Sequence, residues 1–227
     1  MAHMLITSGP TREYLDPIRY LTNASSGRMG RALARAAIDL GHEVTVVTGP
    51  VNLHYPKEAE VIGVESTRDM LSACCVAFES CDGLIAAAAP CDYGPVRPAK
   101  SKIAKTGQPL VLKLVEMPDV VATLAEQKKP HQWLVGFALD TDDPRLRALA
   151  KLQRKNCDLI VVNGPEAIDS PVNHVEVFDR KGELAGDFWG SKDEVAYEIL
   201  EVIEARLLSR KGRRRAAPRQ RRRPSGR

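Results

Sequence analysis

Asn23, Ser25, Ser26, Gly27 and Gly30 stand directly before an apolar helical pattern, Ala32 through Ile38. A helix start exposes backbone N–H groups that attract anions, and glycines let a phosphate approach the chain closely. The amide of Asn23 lies ahead of any sensible cap position, where it could reach a bound carboxylate or phosphate. The alternative for this turn is an N-cap with tight helix–strand packing and no ligand. A second group, Lys100, Lys102 and Lys105, lies on a Pro/Gly-rich segment. Lysines are compact point charges suited to a triphosphate and to charge developing on leaving pyrophosphate. The alternative is a solvated loop face. A third group, Asp92 and Phe137, follows two apolar runs, Leu84 through Ala89 and Leu134 through Phe137. Asp92 could take ribose hydroxyls or a metal, and Phe137 could stack on a base. A helix cap and core packing are the alternatives.

These residues need elements to hold them. Apolar runs predict strands at 4–8, 43–48, 60–65, 83–89, 110–115, 132–138, 158–163 and 174–180. Helical periodicity predicts helices at 28–40, 67–79, 118–127, 144–155 and 191–208. Their alternation gives a Rossmann-like α/β fold, doubly wound around a mostly parallel sheet. The run from Val175 to Leu184 alternates and turns at Lys181-Gly182, which predicts an antiparallel hairpin at one sheet edge. Residues 90–109 hold four prolines and two glycines with Arg97 and the three lysines, and read as a long lid or strap loop.

Composition sets further limits. The five cysteines include no C-x-x-C pair and the five histidines are scattered, so no zinc spacing appears. Cys91, beside Asp92, is the thiol whose position suggests reactivity. No apolar run approaches the roughly 18–20 residues of a membrane helix, and the first residues form no leader, so a cytoplasmic protein is expected. The formal net charge is +4, but residues 210–227 contain ten Lys and Arg and no acid. Removing those ten leaves −6 on residues 1–209. The chain therefore divides into one domain, 1–209, and a basic tail, 210–227, expected to be disordered and to bind polyanions weakly.

Several chemistries are disfavoured. No Ser-His-Asp order, paired-carboxylate motif or Walker loop is present. The G-x-G-x-x-G of dinucleotide binders is missing after the first strand, where Ser8-Gly9-Pro10-Thr11-Arg12 stands. Thr48-Gly49-Pro50 follows the second apolar run in place of a ribose-binding acid. A Rossmann-like NAD(P)-dependent reductase is thus the weaker alternative, and an RNA-associated protein driven by the tail a third.

The segments Leu5 through Glu13, Leu15 through Asn23 and Ser25 through Gly30 resemble phosphopantothenoylcysteine synthetase, of coenzyme A biosynthesis. The likeness continues through Ala88, Cys91-Asp92-Tyr93, Lys102 through Lys105, Met117 through Val120, Gly136-Phe137-Ala138 and Val161-Val162-Asn163. The resemblance implies a ligase that condenses 4′-phosphopantothenate with L-cysteine, using CTP and Mg²⁺ through an acyl-cytidylate, with ATP the nucleotide in eukaryotic members. By position it gives Asn23 the activated carboxylate and Lys102 the triphosphate. It gives Gly9, Ser25, Gly27, Gly30 and Lys105 the nucleotide phosphates, and Asp92, Phe137 and Asn163 the nucleoside. It leaves the metal ligands unknown. It also implies a homodimer whose lid completes the neighbour's site. Nothing in the chain matches the flavin-dependent decarboxylase domain fused to bacterial members, so a stand-alone synthetase without flavin is expected. The chain departs from the family pattern at Ala24, where the family has His, and at Ala104, where it has Lys. Asp140 replaces its Glu, and Gly94 follows Tyr93 in place of Arg.

Overall fold

The computed structural model describes residues 1–139, 143–163 and 173–209. In chain order the elements begin with β1 (His3–Ser8), β2 (Arg12–Tyr14), β3 (Tyr20–Thr22), α1 (Arg28–Asp39), β4 (Glu43–Thr48), β5 (Glu60–Gly63) and α2 (Thr67–Phe78). Next come β6 (Gly83–Ala86), β7 (Tyr93–Pro95), β8 (Leu114–Glu116), α3 (Val120–Gln127), β9 (Trp133–Leu139) and α4 (Pro144–Arg154). The chain closes with β10 (Leu159–Asn163), β11 (Asn173–Asp179), β12 (Leu184–Gly190) and α5 (Lys192–Ile203), the last running into a π-helical turn, Glu204–Leu208.

Eight strands form the main sheet in the order β12-β11-β10-β9-β6-β1-β4-β5. Those from β10 to β5 are parallel, while β11 and β12 add the antiparallel edge expected from the alternating C-terminal pattern. The turn at Lys181-Gly182 is present, with Gly182 at φ 78°. Strand order reverses between β1 and β6, and an open α/β sheet leaves a crevice at such a switch point.

Both faces of the sheet are covered, so its central strands are apolar throughout. Met4, Ile6, Val135, Leu159 and Val161 pack toward α1 and α5. Leu5, Leu84 and Leu134 face α2 and α3, while Ile160 and Val162 face α4.

Three local predictions are corrected. Residues 110–115 do not form a main-sheet strand; Leu114–Glu116 alone is extended, paired with Tyr93–Pro95 in a separate ribbon. Leu110 and Val111 are 57% and 89% exposed, so the apolar run is a surface feature of the strap. The strand predicted over 83–89 ends at Ala86, and residues 87–89 leave the ladder. Between β1 and α1 lies a hairpin, β2–β3, that was not anticipated. The Asp140-Thr141 departure and the basic tail lie outside the described residues. Among those described, no helix is long and apolar enough to cross a membrane.

Candidate functional site: a cation-lined cavity at the switch point

The start of α1 differs from the starts of its neighbours. Helices α2 and α5 each begin with a capping box, Ser66 with Asp69 and Ser191 with Glu194, and α3 begins on the Asp119 side chain. Helix α1 begins at Gly27, which is left-handed at φ 74°, with no side-chain cap and no acid in the first turn. Its first N–H groups therefore lack the side-chain partners that α2, α3 and α5 supply to theirs, as do those of α4. The turn is held from beneath. Tyr55 donates to Ser8 Oγ at 2.8 Å, and Ser8 Oγ donates to the Gly27 carbonyl at 3.1 Å.

This helix start opens into a cavity of about 850 Å³ at the C-terminal ends of β1, β6, β9 and β10. The cavity brings together Asn23, Ser25, Gly27, Gly30, Asp92, Phe137 and Asn163 from the sequence-predicted set. Gly9, Lys102 and Lys105 are not among its lining residues. Gly9 is buried behind the turn at φ 71°, where an added Cβ would lie 2.8 Å from Val51 Cγ1. It shapes the backbone behind the cavity. Lys102 and Lys105 are exposed on the strap.

Other predicted residues are placed differently from expectation. Phe137 lies within β9 and packs partly on the core. The Asn23 amide nitrogen donates to the carbonyls of Pro90 at 2.9 Å and Ala89 at 3.3 Å. Its donors are thus engaged by the loop after β6, and its oxygen is the atom left over for a ligand. Cys91 lines the cavity but is almost wholly buried, its thiol directed at the Thr11 and Leu21 carbonyls. Burial pushes that thiol's pKa up, which disfavours the thiolate a reactive cysteine needs.

Sequence reasoning missed a cationic wall. Lys151, Arg154 and Lys155 on α4, Lys192 at the start of α5, and Arg28 line the same cavity, opposed by Asp92, Glu116 and Asp119. Lys151 donates to the Phe137 carbonyl at 2.7 Å, Lys192 to Asn173 Oδ1 at 3.0 Å, and Lys155 to Asp119 Oδ1 at 2.9 Å. Burial pushes the Asp119 carboxyl up, but Lys155 and the Ala122 N–H outweigh it and hold the group below its usual range. Asp119 is thereby largely spent on Lys155, and the lining holds five basic side chains against three carboxylates. The signal was present as Lys151 and Lys155, one helical turn apart at the end of a predicted helix; only the topology turns them toward the crevice. Two further polar atoms on this wall, Asn163 Oδ1 and Asn173 Nδ2, are buried without a hydrogen-bond partner. Such atoms are costly unless a ligand or water satisfies them.

No group of three or more His, Cys, Asp or Glu among the described residues could hold a metal ion.

Fold and cavity together define a doubly wound α/β protein with a cavity at its switch point, lined by an uncapped helix start and by basic side chains. The chain belongs to the family described as the DNA/pantothenate metabolism flavoprotein C-terminal domain, which it matches over residues 1–207. It is similar to a coenzyme A biosynthesis bifunctional protein CoaBC of Vibrio parahaemolyticus, at 41% identity over 206 residues, covering 88% of this chain and 51% of that protein. It is equally similar, at 41% over 205 residues, to a cysteine/cysteine sulfinic acid decarboxylase of an unknown prokaryotic organism, covering 88% of this chain and 57% of that protein. The chain thus spans about half the length of these curated relatives. Among solved structures, the C-terminal domain of a CoaBC protein superposes with a TM-score of 0.79 at 37% identity, covering 92% of this chain and 96% of that one. The mutant H337A of Cab2, in complex with phosphopantothenate-cysteine, shares the fold at a TM-score of 0.76 and 17% identity, covering 95% of this chain and 89% of that one. The family resemblance drawn from the Gly9 to Gly30 run is borne out.

Proposed function

We propose that this chain is a phosphopantothenate–cysteine ligase, joining 4′-phosphopantothenate to L-cysteine with CTP as the activating nucleotide. The observation that carries the reading is the uncapped start of α1 facing a cationic wall across one cavity. A free carboxylate is a poor electrophile, so its activation requires two anions, the acid and a nucleoside triphosphate, to be held together with their charge neutralised. Membership of a pantothenate-metabolism family and likeness to coenzyme A biosynthesis proteins support these substrates. The Cab2 protein, of the same fold, holds phosphopantothenate-cysteine itself.

In this reading the carboxylate oxygen attacks the α-phosphorus of CTP, the bond to the β-phosphate oxygen breaks, and pyrophosphate leaves. The cysteine amine then attacks the acyl carbon, CMP departs with its phosphate oxygen, and the amine loses a proton as the amide forms. The α1 N–H groups, with Ser25 and Gly27, receive phosphate oxygens. Asn23 orients the acyl group by turning its amide N–H from the Ala89 and Pro90 carbonyls to an acyl oxygen, and Lys151, Lys155 and Lys192 lie beside the nucleotide's charge. Lys102 is brought to the triphosphate when the strap closes, which also shields the acyl-cytidylate from water. Phe137, Asp92 and Asn163 hold the nucleoside. Mg²⁺ enters as the counter-ion of CTP.

The test is pyrophosphate release from 4′-phosphopantothenate, cysteine and Mg²⁺ with CTP or ATP. Release with CTP is expected, falling by at least about a hundredfold in Asn23→Ala and Lys102→Gln, the size of loss typical when one oriented transition-state contact is removed. Full activity in both folded variants would overturn the roles. NADPH binding seen by cofactor fluorescence, without pyrophosphate release, would overturn the reading itself.

A further inference from the structure

The strap between β6 and α3 carries Lys100, Lys102 and Lys105 on exposed backbone, yet it is not loose chain. It is fastened at two points to the turn between β2 and β3. Ala99 N–H donates to the Leu15 carbonyl at 2.8 Å, and Ile103 N–H donates to Asp16 Oδ2 at 3.1 Å. Asp16 is the unusual partner, because its side chain is fully out of solvent. A buried carboxylate is expensive unless every lone pair has work. Here Oδ1 accepts from Ile18 N–H and Arg19 N–H, each at 2.9 Å, and the Arg19 guanidinium stands 3.4 Å from Oδ2. Burial pushes the carboxyl up, but the three N–H groups and Arg19 outweigh it and hold it below the usual carboxylate range.

The two oxygens have separable tasks. Contacts from Oδ1 to the next N–H groups form an Asx turn, which any surface Asp could make without burial. Oδ2 instead reaches a residue 87 positions away, between the two lysines that the ligase reading uses. Turn formation accounts for the first oxygen; the second, beside the half-exposed Arg19, makes its hydrogen bond to the strap. We propose that Asp16 is a positioning residue for the strap: its Oδ2 seats Ile103 and so fixes where Lys102 and Lys105 stand relative to the cavity. What the lysines act on rests on the ligase reading above; how the strap is seated does not.

Two variants approach the seat from opposite sides. Asp16→Ala removes the acceptor, and Ile103→Pro removes the donor N–H, along with the isoleucine side chain and the freedom of φ. Amide exchange by mass spectrometry over peptides spanning 96–106 is expected to quicken at least tenfold in both. In the coupled assay, kcat/KM for the nucleotide is expected to fall at least tenfold, chiefly through KM, while KM for cysteine stays within twofold. The double variant should be no worse than the poorer single, because both cut one contact. Unchanged strap exchange in either folded variant, or losses that multiply in the double, would overturn the proposal. If Asp16→Ala fails to fold, Ile103→Pro decides by the same thresholds. A wild-type protein that releases no pyrophosphate would end the ligase reading alone, and the exchange data would still judge the seat.

Discussion

Gly30 lies in the first turn of α1 directly over β1, where an added Cβ would sit 2.2 Å from Ser8 Oγ and 2.5 Å from Ser8 Cβ. Sequence reasoning made it a phosphate-approach glycine; the contact makes it a packing glycine that also lines the cavity. Gly27 is the residue whose backbone demands glycine, being left-handed at the helix start. Gly30→Ala is therefore expected to destabilise the fold by about 1–3 kcal/mol, the cost of overpacking a fitted contact. Urea unfolding measures it, and a change below ~0.5 kcal/mol would mean that β1 yields freely. At this scale the cavity-lining places of Asn23, Ser25, Gly27, Asp92 and Asn163 were legible because each stands near the end of a readable element, while Phe137 lies inside β9. The α4 lysines were not. Their spacing was visible, but on an isolated helix it reads equally as a solvated C-terminal turn favoured by the macrodipole.

Among the elements, the parallel strands were legible because burial on both faces leaves unbroken apolar runs, as in Leu84-Ile85-Ala86 of β6. The same signal misled at 110–115, where Leu110-Val111-Leu112 is apolar on a segment that never joins the sheet. The β2–β3 hairpin escaped notice because its strands are three residues each, too short for alternation to register. Helix α3 carries a prediction of its own. Asp119 caps it, accepting from Ala122 N–H at 3.0 Å, and also pairs with Lys155 at 2.7 Å. Asp119→Ala is expected to cost about 1 kcal/mol, as loss of a good N-cap does. The carboxyl's folded pKa is depressed, so its charge-dependent contribution is present above the unfolded value of about 3.9 and is lost as pH falls through the lower folded value. The stability gap between wild type and variant should hold steady from pH 8 to 5 and narrow below ~4 in urea titrations at each pH. A gap that widens on acidification would reverse the sign.

For the molecule as a whole, the arrangement of caps distributes stability unevenly. Three helix starts are closed by their own side chains, whereas α1 and α4 have no side-chain cap, and the open start of α1 faces the cavity. A ligand that brings phosphate oxygens to Gly27 and the first turn of α1 supplies the missing cap, and so binds the folded chain alone. At a hundred times its dissociation constant it should add about 2.7 kcal/mol to unfolding. CTP is expected to raise the melting temperature in a dose-dependent way, and inorganic salt of equal ionic strength is not. The consequence reaches beyond catalysis. When opening and reclosing outpace cleavage, a protease samples the unfolded population, and that population shrinks as the ligand accumulates. The lifetime of this protein in a cell would then follow its nucleotide supply, with starved copies cleared first.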